Sequence, residues 1–216
     1  KWIKISYPII FKMQKSLLKP ILKNKALITG ASSGIGYALA NKYLSEGWQV
    51  IGIGRGKSKV KDLMNKFGNS FYFYEIDLTN FEDLEASLSD VLVNHKDLNT
   101  IIFNAGIYIP DNYESFSYKN AKQSFDINVL SVYFEIEVLR KNIQLDHNHT
   151  LAIVSSVAGY RGLPKSILYG PTKAALINLC ESLKVDLPKE VNIKLINPGF
   201  VETPATSINN FKMPFL

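Results

Sequence analysis

Short runs of apolar residues recur along most of the chain, and most of them are followed by a stretch whose apolar positions have helical spacing. Such an alternation is typical of βαβ units with buried parallel strands. The pattern predicts six strands, at Ala26–Thr29, Val50–Ile53, Phe71–Ile76, Thr100–Phe103, Leu151–Val154 and Val191–Ile196. It also predicts helices that end near Glu46, span about 58–67, run from about Phe81 to Val93, end near Lys141, and run from about Leu168 to Leu187.

This order of elements predicts an α/β fold of the Rossmann-like doubly wound type, with a parallel sheet of strand order 3-2-1-4-5-6. Right-handed crossover connections leave few other topologies. After Asn197 the pattern becomes irregular, with prolines at 198, 204 and 214, so no seventh strand is predicted before Leu216. The 216 residues suit a single domain over 25–216 that follows a short N-terminal extension, 1–24.

The net charge of +6 is concentrated at the N-terminus, where residues 1–25 carry seven lysines and no acidic residue. The charges of the remaining 18 basic and 19 acidic residues nearly cancel, so the rest of the chain lacks the basic excess that is typical of nucleic-acid binding. The extension also contains many apolar residues and is expected to pack on the domain; an amphipathic anchor at a membrane surface is the alternative. Its lysines interrupt any stretch of roughly 20 apolar residues that a membrane-spanning helix needs.

Few residues are candidates for thiol or metal chemistry. Cys180 is the only cysteine, which excludes an internal disulfide and favours a reducing cytoplasm. It falls in an apolar helical pattern and is expected in the core. His147 and His149 form an H-x-H pair, but no third ligand is evident nearby, so we expect a solvated turn and no metal site.

A glycine-rich turn joins the first predicted strand to its helix. Glycines let the backbone approach a pyrophosphate, and the following helix N-terminus offers unpaired N–H groups and a partial positive charge. The first turn of the first βαβ unit is also where a dinucleotide binds in this fold class. The cofactor-binding residues predicted here are Gly30, Ser32, Ser33, Gly34, Ile35 and Gly36.

The residue after the second strand predicts which cofactor is bound. An acidic side chain there would bind the adenosine ribose hydroxyls, whereas an arginine accommodates a 2′-phosphate. The strand ends at Gly54 and is followed by Arg55, with Lys57 and Lys59 close behind and no acid before Asp62. We therefore expect NADP(H) to be preferred, with NAD(H) as the alternative.

Two Y-x-x-x-K motifs occur, Tyr118/Lys122 and Tyr169/Lys173, and spacing cannot choose between them. Their positions in the predicted fold favour Tyr169, because it follows the fifth strand, next to the crevice where the strand order reverses. Pro171 fits only the first turn of a helix, so Tyr169 is expected at the helix start, sharing a face with Lys173.

A tyrosine beside an ammonium group is suited to acid–base catalysis. The free phenol has a pKa near 10, and a neighbouring positive charge is expected to lower the pKa of Tyr169. Ser156 ends the fifth strand and faces the same crevice, where its hydroxyl could hold a substrate oxygen. These three residues are therefore the predicted centre of the chemistry.

From about Lys25 to Thr203 the sequence resembles the short-chain dehydrogenase/reductase family in its single-domain form. The turn from Thr29 to Gly36 resembles that family's cofactor turn, and Ser156 precedes Tyr169 by thirteen residues, as the family's serine and tyrosine do. Further matches are Asp77-Leu78 to an adenine contact, Asn104-Ala105-Gly106 to an N-A-G segment, Asn128 to an active-site asparagine, and Asn197–Thr203 to a nicotinamide loop.

The resemblance implies hydride transfer between NADP(H) and a small carbonyl or alcohol substrate. Tyr169 would protonate the substrate oxygen and Ser156 would orient it, while Lys173 would bind the nicotinamide ribose. Asn128 would support a proton relay through water. The nicotinamide would be held by Pro198, Gly199, Val201 and Thr203.

The resemblance also implies a homodimer or homotetramer, paired through the helices that contain Asn128 and Tyr169. Relatives continue beyond the point where this chain stops, so the far edge of the sheet is expected to differ or to be covered by a partner. Two other interpretations stay open: a binding module that senses NADPH without turnover, and a membrane-surface protein that uses the basic extension.

Overall fold

The computed structural model describes residues 24–204, 206 and 207. Most of the N-terminal extension lies outside the described residues, as do 205 and 208–216. The expected role of residues 1–24 at a membrane surface or on the domain therefore stays a prediction. Among the described helices, none is long and apolar enough to cross a bilayer.

Six strands form one parallel sheet in the order β3-β2-β1-β4-β5-β6, as the sequence predicted. Each observed strand differs from its predicted run by no more than one residue at either end. The strands are β1 Lys25–Thr29, β2 Gln49–Gly54, β3 Phe71–Glu75, β4 Thr100–Phe103, β5 Thr150–Val154 and β6 Asn192–Ile196.

Helices cover both faces of the sheet. They are α1 Gly34–Ser45, α2 Lys61–Phe67, α3 Phe81–Asn94, α4 Tyr118–Phe125, α5 Ser131–Asn142 and α6 Tyr169–Asp186. The helix predicted to end near Lys141 is divided, because a π turn at Asp126–Leu130 separates α4 from α5. Such wide turns inside helices are frequent at functional sites, and this one carries Asn128.

Two apolar clusters make up the core, one on each face of the sheet. One packs strand residues such as Leu27 and Ile153 against α3, α5 and α6, including Leu84 and Leu176. The other packs strand residues such as Ile28 against α1 and α2. Cys180 is fully buried in the first cluster, as predicted for a core residue.

The topology places the functional residues at the carboxyl edge of the sheet. β1 lies between β2 and β4, and the chain's strand order reverses there, which leaves a crevice above the ends of β1 and β4. The segments that follow β1, β4 and β5 therefore meet at this edge.

Candidate active site

A cavity of about 820 Å³ lies at the carboxyl edge of the sheet. Its walls include almost all of the residues predicted from sequence to bind a cofactor or substrate. Those lining it are Gly30, Ser32, Ser33, Gly34, Ile35, Arg55, Asp77, Leu78, Asn104, Ala105, Gly106, Ser156, Tyr169, Lys173, Pro198, Gly199, Val201 and Thr203. Two predicted residues, Gly36 and Asn128, do not line the cavity.

The glycines of the turn after β1 are required by close packing. Gly30 has a φ of +70°, and a Cβ there would lie 2.9 Å from the Cα of Ala105. At Gly36 a Cβ would lie 2.3 Å from the carbonyl oxygen of Gly30 and 2.5 Å from Nδ2 of Asn104. Neither position has room for a side chain, and of the two only Gly30 lines the cavity.

The turn leads directly into the positive end of α1. The helix begins at Gly34, and the side chain of the preceding residue, Ser33, forms no capping hydrogen bond with it. Gly34 and Ile35 line the cavity, so the start of α1 lies at its wall, where the helix dipole favours an anion. A Cβ on Gly34 would lie 3.4 Å from the Cβ of Thr203, so the loop after β6 closes over this turn.

Polar bonds join the turn to the segment after β4. The Thr29 hydroxyl accepts hydrogen bonds from the backbone N–H groups of Asn104 at 3.1 Å and Ala105 at 3.2 Å. The Asn104 side chain donates from Nδ2 to the Thr29 carbonyl at 2.9 Å. The two walls of the crevice are therefore held at a fixed separation.

The outer end of the cavity is lined by charged side chains. Arg55 lies 3.9 Å from the carboxylate of Asp77, with its side chain 64% exposed. Thr79 donates to Asp77 from its backbone N–H at 3.0 Å and from its hydroxyl at 2.7 Å. Those bonds, with Arg55, hold the pKa of Asp77 below its usual range. Lys59 also lines this end.

The inner end contains Tyr169 and Lys173, one turn apart at the start of α6. The Lys173 ammonium lies 5.5 Å from the centre of the Tyr169 ring and donates to the Val154 carbonyl at 3.1 Å. Lys173 is only 3% exposed, and burial lowers its pKa to about 8.

The expected lowering of the Tyr169 pKa is not what the structure gives. Burial raises the pKa of Tyr169 above its ordinary value, and a hydrogen bond with Ser156 only partly opposes that change. The physical reason is that desolvation of the phenolate outweighs the opposing hydrogen bond. The neutral phenol is the favoured form.

Ser156 follows β5 and is 8% exposed. Its hydroxyl accepts from the Ala158 N–H at 3.2 Å and also bonds to Tyr169. The neighbouring Ser155 donates from its hydroxyl to the Lys173 carbonyl at 2.7 Å. Hydrogen bonds thus join the end of β5 to the first turns of α6, which carry Tyr169 and Lys173.

Asn128 lies behind the cavity wall, fully buried in the π turn. Its Oδ1 accepts from the Ile107 N–H at 2.7 Å, and its Nδ2 donates to the Ile107 carbonyl at 2.9 Å and to the Thr172 hydroxyl at 3.0 Å. The side chain therefore fixes the segment after β4 against α6. A water relay supported by Asn128 stays a prediction.

The other Y-x-x-x-K motif lies outside the cavity. Tyr118 is 82% exposed at the start of α4, and Lys122 forms an ion pair with Asp126 at 2.6 Å. His149, of the H-x-H pair, bonds to Asp146 at 2.7 Å. Within the described parts of the chain, no three His, Cys, Asp or Glu side chains cluster as metal ligands.

Several residues near Tyr169 were not predicted from the sequence. Tyr108 lines the cavity and packs edge-on against the Tyr169 ring, with ring centres 5.3 Å apart. Thr172 and Asp111 are buried polar residues that bind backbone groups around the start of α6. Their only signal in the sequence was a position within or just after a recognised motif, since no local pattern marks their contacts. The segment 163–166 also lines the cavity.

Comparison with known proteins agrees with this geometry. A sequence model of the short chain dehydrogenases matches residues 24–212. The chain belongs to the short-chain dehydrogenase family. This short-chain dehydrogenase is 33% identical over 191 residues to the human protein named dehydrogenase/reductase SDR family member 11, covering 82% of this chain and 73% of that one. The family consists of oxidoreductases that act on CH–OH or C=O groups and use NAD or NADP.

Two solved structures illustrate the cofactors found among similar proteins. The structure of ElxO with NADP bound has a TM-score of 0.76 and 26% identity, covering 86% of this short-chain dehydrogenase and 77% of ElxO. A short-chain dehydrogenase/reductase from Burkholderia phymatum in complex with NAD also has a TM-score of 0.76, with 25% identity, covering 86% of this chain and 68% of that one. Similar folds therefore hold either dinucleotide.

Proposed function

We propose that this short-chain dehydrogenase transfers a hydride between NADP(H) and a carbonyl or alcohol substrate, with Tyr169 as the general acid and base. The observation that carries the proposal is the placement of Tyr169, Ser156 and Lys173 in the same cavity as the glycine turn after β1. A proton donor and an anion-binding turn are thus parts of one site.

The cavity residues fit a dinucleotide. A side chain at Gly30 or Gly36 would collide with the backbone around it, and the open N–H groups of α1 suit a pyrophosphate. Lys173, Pro198, Gly199, Val201 and Thr203 would hold the nicotinamide half, and Asp77 with Leu78 the adenine. The bound dinucleotide would supply or take up the hydride.

The proton belongs to the residues of the chain. In reduction, Tyr169 would donate its phenolic proton to the carbonyl oxygen while Ser156 Oγ holds that oxygen. Burial raises the pKa of Tyr169, so the phenol carries its proton at neutral pH and is ready to donate it. The buried ammonium of Lys173 beneath the ring would stabilise the phenolate that remains.

The test is a carbonyl panel assayed with purified full chain and NADPH, following the absorbance of the reduced nicotinamide. An aromatic aldehyde such as nitrobenzaldehyde and a β-keto ester such as ethyl acetoacetate are suitable probes. We expect NADPH to be consumed and an alcohol to accumulate in equal amounts. Tight NADPH binding without consumption over the panel would instead support the sensing module.

We propose a preference for NADP(H) because positively charged side chains line one end of the cavity. Arg55 and Lys59 line that end, and a guanidinium forms strong charge-assisted bonds with phosphate. Arg55→Ala should weaken NADPH binding about 10- to 100-fold, because such bonds contribute roughly 1.5–3 kcal/mol. NADH binding should change little, since NADH lacks the 2′-phosphate.

Titration of each cofactor by nicotinamide fluorescence measures this effect. Arg140→Ala is the matched control, because Arg140 is an exposed arginine on α5 that does not line the cavity. Equal losses for NADPH and NADH in Arg55→Ala would contradict the proposed preference.

The proposed assembly is a homodimer or homotetramer that pairs through α4, α5 and α6. Exposed apolar residues on and next to these helices support it: Phe125 is 39%, Leu130 48% and Tyr133 51% exposed. Pairing through these helices would bury such exposed apolar side chains, which stabilises an interface.

A further inference from the structure

The start of α6 is held by a carboxylate from a distant part of the chain. Asp111 lies in the segment after β4 and is 4% exposed. One of its oxygens accepts from the Ile167 N–H at 2.8 Å, and the other accepts from the Leu168 N–H at 3.1 Å. Tyr169 is the next residue, so Asp111 binds the backbone directly before the proposed acid.

These two amides need an acceptor from outside the helix. The first N–H groups of a helix have no partner within it, and Leu168 at the cap position has no polar side chain to supply one. Asp111 provides both oxygens, and its negative charge lies at the positive end of α6. The helix is therefore capped by a residue 57 positions earlier.

The same segment also contacts the side chain of the proposed acid. Tyr108 packs edge-on against the Tyr169 ring at 5.3 Å between centres. Asn128 binds both backbone groups of Ile107 and the hydroxyl of Thr172. Thr172 in turn donates to the Tyr169 carbonyl at 2.7 Å. Segment 107–111 and the first turn of α6 thus form one hydrogen-bonded unit.

We propose that Asp111 is a positioning residue, which fixes the first turn of α6 so that the phenol of Tyr169 meets the substrate oxygen. The proposal rests on the proposed role of Tyr169. Proton transfer needs heavy-atom distances near 2.6–3.2 Å, and a misplacement of about 1 Å can lower the rate about 100-fold. Asp111 does not line the cavity, so it acts through Tyr169.

Asp111→Asn is the sharpest substitution because asparagine has nearly the same shape. Asparagine offers one acceptor oxygen, so its NH₂ group must face the Ile167 or Leu168 N–H, donor against donor. We expect kcat for nitrobenzaldehyde with NADPH to fall about 10- to 100-fold. The NADPH dissociation constant should stay within about twofold of the wild type, because the glycine turn and α1 are untouched.

Two control variants separate positioning from general stability. Asp146→Asn also removes an oxygen that accepts a backbone N–H, at 2.8 Å from Asn148, but in the turn that precedes β5 at the opposite edge of the sheet. Leu63→Ala removes a buried side chain on α2 and lowers thermal stability. Both should keep wild-type kcat at temperatures where they are folded.

A substrate-free measurement follows the phenol directly. Full chain labelled with ¹³C-tyrosine is titrated by NMR, and the Tyr169 signal is assigned by its loss in Tyr169→Phe. In Asp111→Asn we expect the Tyr169 pKa to fall toward its ordinary value, since a displaced phenol gains water. If Asp111→Asn does not fold, Asp111→Ser is measured in the same way.

The outcomes are distinct. Wild-type kcat and an unshifted phenol in Asp111→Asn would overturn the positioning role, and so would an equal loss of kcat in Leu63→Ala. A kcat loss in Asp111→Asn that persists undiminished in a Tyr169→Phe background would also overturn it. Full activity of Tyr169→Phe alone would instead overturn the proposed function.

Discussion

Tyr169→Phe is expected to lower NADPH-dependent carbonyl reduction about a thousandfold, which is within the usual contribution of general acid catalysis. The substitution removes only the phenolic oxygen and keeps the ring that packs against Tyr108. NADPH binding should therefore be retained within about twofold, because the glycine turn and the Arg55 end of the cavity are unchanged. Steady-state rates with nitrobenzaldehyde and a fluorescence titration of NADPH measure the two quantities.

The chain contains its own control for this experiment. Tyr118→Phe alters the first residue of the other Y-x-x-x-K motif, which is 82% exposed and away from the cavity. It should leave both rate and binding unchanged. Turnover at the wild-type rate in Tyr169→Phe, or an equal loss in Tyr118→Phe, would remove Tyr169 from the mechanism.

The second large effect is expected from Glu135, a buried carboxyl on α5 that the proposed mechanism does not use. It is 5% exposed, and among the described residues neither of its oxygens has a hydrogen-bond partner of standard geometry. Burial raises the pKa of Glu135 from 4.5 to about 8, although the nearby hydroxyls of Ser131 and Thr29 act to lower it. The folded protein therefore holds a neutral acid there at neutral pH.

The sign of the pH dependence follows from this raised pKa. Below about pH 4.5 the Glu135 carboxyl is protonated in both the folded and the unfolded chain, and its contribution to stability is fully present. Between pH 4.5 and 8 the unfolded chain ionises while the folded chain stays protonated, so the free energy of unfolding falls by about 1.4 kcal/mol per pH unit. Above about pH 8 the loss is complete.

Glu135→Gln should abolish this dependence, because an amide of nearly the same shape does not titrate. Relative to the wild type, the variant should gain about 3 kcal/mol between pH 5 and pH 7, or on the order of 5–10 °C in melting temperature. Thermal unfolding over that pH range measures the slope, which is independent of any constant cost of burying the amide.

Glu137→Gln is the control, since Glu137 lies two residues later on α5, exposed and paired with Lys141 at 3.0 Å. Its pKa is lowered by Lys141, so its substitution should produce no gain that grows with pH. Parallel stability curves for Glu135→Gln and the wild type would mean that Glu135 does not titrate as its burial requires.

The strands were predictable because buried parallel strands need unbroken apolar runs, and the turn after β1 because its glycines are spaced for close packing. The choice of Tyr169 over Tyr118 came from position in the βαβ order, and the structure puts the first in the cavity and the second in solvent. Their chemical roles stay predictions until they are measured.

Other features depended on contacts between distant residues and had no local signal. Asp111 and the amides it binds are more than 50 positions apart, and nothing around Asp111 marks it as a cap. The π turn at Asp126–Leu130 was missed because apolar spacing barely changes when one extra residue widens a helical turn. The direction of the Tyr169 pKa was wrong because desolvation depends on the packing around the phenol.

The bonds between Thr29 and Asn104, between Asn128 and Ile107, and between Asp111 and Leu168 have a consequence for engineering. Substrate range in an enzyme of this fold is commonly altered by exchanging one surface loop for that of a relative. Here the segment after β4 shares hydrogen bonds with Thr29 at the end of β1, with Asn128 in the π turn and with Leu168 before α6, so a graft of that segment has to preserve all three contacts. New specificity would have to be transplanted as a block, with the segment after β4 and the residues that bond to it taken from the same donor.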